Sequence, residues 1–211
     1  MDINFHKSTG LSLIIGSLLA CLTMVLHPSG GNIEHIIGMA SSFKISHSIG
    51  IYSMPLMMFG FLGLSNKLMD KWKLSNLAFI IVTFGLLSAA LAALFNGIAL
   101  PHFLSQYTNN HEENNNLLRV IMNYGFAINR GLDYMFITSL CTAIALYSFI
   151  IIRTKKIPNW ISIYGLTILG FSIIGGLTNF AFTSLIGFRI IVFAIAGWVL
   201  CTGFALIKSI K

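Results

Sequence analysis

Six long apolar stretches, almost empty of charge, occupy most of this 211-residue chain, and its titratable side chains gather in the gaps between them. A helix needs roughly 20 apolar residues to cross the hydrocarbon of a bilayer. In lipid every backbone N–H and C=O must find a partner within the protein, which a helix provides for itself. The pattern therefore predicts an all-α, polytopic transmembrane helical bundle. Its six spanning helices fall near residues 9–27, 45–65, 75–100, 126–152, 159–182 and 188–208. They consume the chain, so residues 1–211 read as a single integral-membrane domain. Only 9% of the residues are charged, against about a quarter in a soluble domain.

The charged residues sort by loop. One set of termini and loops holds Lys7, Lys67, Lys71, Lys73, Arg153, Lys155, Lys156, Lys208 and Lys211. The opposite loops hold Lys44, Arg119 and Arg189, together with Glu34, Glu112 and Glu113. Cytoplasmic loops carry the excess of Lys and Arg, so the first set, with both termini, is expected in the cytoplasm. The net charge of +7 belongs with this asymmetry and with anionic headgroups; nothing in it calls for nucleic acid. The first apolar run ends in His27-Pro28 rather than a small-x-small cleavage site, which favours a spanning helix over a removed signal. Low Pro with high Ile, Lys and Asn fits a bacterial inner (plasma) membrane. Cys21, Cys141 and Cys201 all fall inside spans with no CxxC, so they read as small packing residues rather than disulfides or zinc ligands.

Local signals refine the bundle. Trp72 and Trp160 stand at span ends, where indoles favour the interface. Pro158 suits the first turn of the fifth span, and Pro55 should kink the second by freeing the carbonyl of Ile51. Ala89, Ala93 and Gly97 form a small-residue stripe at i, i+4, i+8, as do Ser172 and Gly176 at i, i+4, and such stripes let helices approach closely. A short echo links His47-Ser48-Ile49-Gly50-Ile51-Tyr52 with Asn129-Arg130-Gly131-Leu132-Asp133-Tyr134, consistent with three stacked hairpins.

On this topology five of the six histidines lie outside: His27, His35, His47, His102 and His111, with His6 within. His27, His47 and His102 end or begin spans at similar depth. If the first three spans are neighbours, these imidazoles can converge. Three imidazoles with an open position suit zinc or copper, and two can ligate a haem iron axially. No pair has a diagnostic spacing, and interfacial histidines also cap helices or bond loop carbonyls. His47 and Met54 share a helical face with Met58 a turn deeper, a combination that suits Cu(I) but equally fills a core.

The fourth span carries a second constellation. Asn129, Arg130 and Asp133 occupy its outer turns, and charge at membrane depth usually faces the protein interior or water. Arg130 and Asp133 at i, i+3 can pair; alternatively Arg130 is an anion clamp and Asp133 a proton acceptor or an orienter of a histidine. Asn96, Asn179 and Arg189 lie at the same level and can complete a pocket. The run from Gln106 to Asn116 reads as an external loop, and residues 117–123 as an interfacial amphipathic turn with Arg119 at the surface. His111-Glu112-Glu113 suits a metal less well than a solvated surface.

Leu26-His27-Pro28, His47-x-x-Gly50, Asn96-Gly97-Ile98-Ala99-Leu100-Pro101 and Lys156-Ile157-Pro158-Asn159-Trp160 resemble stretches of a loosely related set of uncharacterised bacterial six-helix inner-membrane proteins. The resemblance implies the six-helix layout and carries no activity. Three functions remain open. The first is a binding or accessory protein whose outward pocket takes a small-molecule or lipid ligand, alone, as a homo-oligomer or within a membrane complex. The second is a metalloenzyme or a haem or copper electron carrier. The third is a small-solute transporter, for which deep charges and broken helices along a path would be expected.

Overall fold

The computed structural model describes residues 3–69, 73–107 and 115–208. Lys71, Trp72, His111, Glu112, Glu113 and Lys211, named above, lie outside the described residues. Within them the chain forms α1 (Ile3–Leu26), α2 (Ile33–Gly38), α3 (Ala40–Met69), α4 (Leu74–Leu94), a π-helical segment (Phe95–Ala99), α5 (Leu100–Gln106), α6 (Asn115–Thr154), α7 (Asn159–Leu177) and α8 (Leu185–Lys208). Six helical stretches are long and apolar enough to cross a membrane.

The six spans form a closed ring. α1 packs on α3, α3 on α4, α4 on α6, α6 on α7, and α7 on α8, while α8 returns to α1. The ring closes where Gly10 meets Gly203: a Cβ on Gly10 would stand 2.8 Å from the Gly203 carbonyl oxygen, and the converse distance is also 2.8 Å. Two helix backbones in such contact leave no room for a side chain on either. This contact joins the start of α1 to the end of α8, so both termini lie at one end of the bundle, here the terminal end; His27 lies at the other, the distal end.

At the terminal half the ring axis is filled. Phe61, Tyr147 and Trp198, from α3, α6 and α8, are fully buried and stack with centroids 5.9, 6.5 and 6.4 Å apart. Their polar tips are satisfied as buried polar groups must be. Trp198 Nε1 donates to the Ile161 carbonyl at 2.9 Å. Ser65 Oγ donates to the Ser75 carbonyl at 3.0 Å, leaving its oxygen to accept from Tyr147 at 2.7 Å. Lys156 Nζ donates to the Lys67 carbonyl at 3.0 Å and so ties two connections of this end together.

The distal half extends beyond the apolar runs. α3 begins at Ala40 and α6 at Asn115, earlier than the expected 45 and 126, because apolar residues at helical spacing persist into the polar flanks. Leu118 and Met122 of α6 pack with Leu100 and Leu104 of α5, Ile36 of α2 and Phe43 of α3 in a second core. Residues 117–123 are amphipathic as expected, with Leu118 and Met122 packed and Arg119 exposed, and they belong to a longer helix rather than a turn. At 40 residues α6 rises about 60 Å, twice the roughly 30 Å of a hydrocarbon core. This small helical cap is continuous with the bundle.

Two further expectations change. α7 stops at Leu177 rather than near 182, because Asn179 takes a left-handed conformation (φ 56°). The Phe180 N–H then bonds the Gly175 carbonyl at 2.7 Å and the Asn179 N–H that of Gly176 at 3.3 Å, the paired bonds that end a helix. Pro158 caps α7 from outside instead of occupying its first turn. α3 is helical on both sides of Pro55.

Candidate functional site

Below the cap and above the aromatic plug, the ring holds a partly open cavity of about 210 Å³. α1 contributes Thr23 and Met24, with His27 just beyond its end, and α3 contributes His47, Gly50, Met54 and Met57. Ala89, Ala92, Ala93 and Asn96 come from α4 and the π segment; Asn129, Asp133 and Phe136 from α6; Phe188 and Val192 from α8. The Ala89/Ala93 stripe is thus cavity wall as well as a close-packing face, since alanines line a space that larger side chains would fill.

The histidine pair is built by three local devices. His27 follows the last turn of α1 and His47 lies in the second turn of α3, and these antiparallel helices bring the rings to 4.6 Å between centroids, tilted by 54°. His27 Nδ1 lies 2.8 Å from the Pro28 carbonyl and His47 Nδ1 2.8 Å from the Phe43 carbonyl. A carbonyl only accepts, so each ring carries its proton on Nδ1 and keeps its Nε2 lone pair. Gly97 completes the seat: a Cβ there would overlap the His47 ring. Phe43 stacks on His47 at 5.8 Å and meets His27 edge-on at 6.4 Å, which joins the cap core to the site.

The π segment explains how Asn96 and Gly97 both face inward. A π turn inserts one residue into an α-helix and shifts the register of the residues beyond it, often at functional sites. Here Asn96 lines the cavity, while Gly97 backs His47. Across the cavity, Asn129 Nδ2 donates to Asp133 Oδ2 at 2.8 Å, and Asp133 is only 8% exposed. Ser88 Oγ donates to the Leu132 carbonyl at 2.7 Å, fixing α4 against α6 beside it.

Of the expected site residues, the fold brings together His27, His47, Asn96, Asn129 and Asp133. It leaves out the others. Arg130 is exposed and lines no part of the cavity, and its expected pairing with Asp133 is replaced by Asn129. Along the helix Asn129 and Asp133 at i, i+4 stand about 40° apart, while Arg130 stands about 100° from Asn129 and about 60° beyond Asp133, on the side turned away from the cavity. Arg189 lies on the first turns of α8, where Nη2 donates to the His27 carbonyl at 2.8 Å and buried Nε has no partner among the described residues. It straps α8 to α1 rather than lining the pocket. Asn179 is an exposed helix terminator.

His102 is exposed, with Nε2 3.2 Å from Gln106 Nε2, and His35 is exposed with Nε2 near the Ser29 carbonyl. The three-histidine centre therefore reduces to a pair. Among the described residues no group of three or more His, Cys, Asp or Glu side chains is arranged to hold a metal. A haem between His27 and His47 does not fit either. Each axial nitrogen stands about 2 Å from its metal, which sets the two ring centroids roughly 6 Å apart rather than 4.6 Å. Met54 does share the cavity with His47, joined by Met24 and Met57.

Burial lowers the pKa of His27 below its ordinary 6.5; the bond to the Pro28 carbonyl opposes this, and the Arg189 guanidinium adds to the lowering. The imidazole is thus held neutral, as its Nε2 lone pair requires. Thr23, Met24, Phe136 and Phe188 had no sequence signal as site residues, since apolar helices carry such residues everywhere. Comparison with family models, with curated proteins and with solved structures finds no match for this chain.

Proposed function

We propose that this chain is a multi-pass bacterial inner-membrane protein that binds a small molecule or lipid segment in the distal cavity, as a binding or accessory component of the membrane. The observation that carries the reading is the cavity itself: an apolar chamber with a few convergent polar groups, the usual make-up of a ligand site. A preformed apolar cavity of about 150 Å³ already admits a benzene-sized guest, and this one is about 210 Å³.

Phe61, Tyr147 and Trp198 close the axis on the terminal side in this conformation, which suits a binding chamber without a through-path. Lys155, Lys156 and Lys208 line a groove at the terminal end together with Trp160. That supports a cytoplasmic terminal end and an outward-facing cavity, by the positive-inside rule.

Native mass spectrometry of protein taken gently from membranes tests the reading. A co-purifying adduct is expected in the parent chain and absent after Ala92→Phe, which fills the chamber. Identical spectra and identical thermal midpoints for the two proteins would remove the cavity from consideration as a site.

A further inference from the structure

Resting on the cavity being a ligand site, we infer that its guest is a small protonated amine with an apolar body. The chamber's lining holds one carboxylate, Asp133, and neither Lys nor Arg. Asp133 is nine-tenths buried, receives a hydrogen bond at Oδ2 from a neutral amide, and faces no cationic side chain within the chamber. A carboxylate withdrawn from water ionises at a steep cost unless a cation accompanies it. Both imidazoles add to the same polarity. Their Nδ1–H groups are spent on the Pro28 and Phe43 carbonyls, so what remains of each is an Nε2 acceptor.

Thr23 donates within its own helix to the Leu19 carbonyl, which leaves Asn96, Thr183 and the second Nδ2–H of Asn129 as the neutral donors. A guest therefore meets mainly acceptors and one negative charge. An ammonium supplies only donors and one positive charge, which is the complement. The positive residues that an anion would need do not line the chamber: Arg130 is exposed, and Arg189 lies outside the lining with Nη2 on the His27 carbonyl.

A bare metal ion fits less well. No three-ligand group of His, Cys, Asp or Glu exists among the described residues, and most of the wall is apolar. Phe136 and Phe188, 5.9 Å apart, form an aromatic face of the kind that receives both an apolar body and a cation.

The test uses the full chain in phosphatidylcholine nanodiscs, a neutral bilayer that does not itself concentrate cations. Three isosteric probes are compared by thermal shift and calorimetry: benzylamine, benzyl alcohol and benzoate. Benzylamine should bind at least tenfold more tightly than either, and Asp133→Asn should erase that preference while leaving weak binding of benzyl alcohol. Should Asp133→Asn fail to fold, the three-probe ranking in the parent chain, with Ala92→Phe abolishing the shift, decides the matter. Equal or tighter binding of benzoate or benzyl alcohol would overturn the amine assignment yet keep the cavity as a site. No response to any probe, in parent and Ala92→Phe alike, would overturn both. Stoichiometric copper or zinc in protein prepared without chelator, displaced by none of the probes, would make the cation a metal and overturn the amine.

Discussion

At the residue scale, the site depends on a few side chains whose neighbours leave them no alternative. Gly97 is the clearest, because the His47 ring occupies the volume a Cβ would need. Gly97→Ala should cost about 1–3 kcal/mol, the usual penalty for overfilling a packed interior, and should displace His47. Chemical denaturation in detergent measures the first effect and probe binding the second; a fully stable variant with unchanged binding would contradict this seat. His27 makes a pH prediction. Its folded-state pKa lies below its ordinary 6.5, so below that pH the unfolded chain takes up a proton that the folded bundle still refuses. Stability is full above this value and is lost as pH falls through the window beneath it. Thermal midpoints measured from neutral pH to about pH 5 should fall less steeply for His27→Gln than for the parent chain. Superimposable curves would show that His27 does not contribute.

At the element scale, the distal cap and the π segment are the features that apolar-run analysis does not anticipate. Leu100, where the third span is expected to end, and Leu104 beyond it, like Leu118 and Met122 in the amphipathic stretch, stand at i, i+4 spacing, and that spacing is the signal that gives the cap away. Its packing is separate from the membrane core, so it should respond separately. Leu104 is fully buried, and Leu104→Ala should cost about 2–5 kcal/mol within the cap alone. Hydrogen exchange should rise in α5 and the first turns of α6 while α8 around Trp198 stays protected. Exchange rising evenly through all helices would mean that cap and bundle unfold as one. The π segment places Asn96 in the cavity and keeps α5 aimed at the cap core. Removing one residue at Ile98 would restore α-helical register, turning Leu100 and Leu104 by about 100° away from Ile36 and Leu118. That deletion should lower the thermal midpoint more than Ile98→Ala, and equal midpoints would deny the segment this role.

At the scale of the whole molecule, charge asymmetry and ring closure make different demands. The native cysteines lie in the spans and are free, so a thiol introduced into a loop reports that loop after their replacement by serine or alanine. Ser29→Cys should react with a membrane-impermeant maleimide on intact cells, and Lys155→Cys only after permeabilisation. The reverse pattern would invert the proposed orientation. The six-span, all-helical character is legible from the chain alone because a bilayer allows few solutions: apolar runs of sufficient length must be helices, and each helix satisfies its own backbone. The charged gaps likewise carry the expected orientation, through Lys67, Lys73, Arg153, Lys155, Lys156 and Lys208.

The site is legible only in part. His27, His47, Asn96, Asn129 and Asp133 draw notice because polar groups are costly at that depth, and that cost acts on each residue whatever its neighbours. Arg189, His102 and Asn179 draw notice for the same reason and make their contacts or turns elsewhere, while Arg130 is exposed outside the chamber. Which polar residues share a chamber depends on helix rotation and adjacency, and these are set by small-residue contacts such as Gly10 against Gly203 and by the extra residue of the π turn. The linear order of residues is enough to specify six spans and to put polar side chains near their ends. That five of those side chains meet in one chamber emerges only when the helices pack, because meeting is a property of helix pairs and not of any one run of residues.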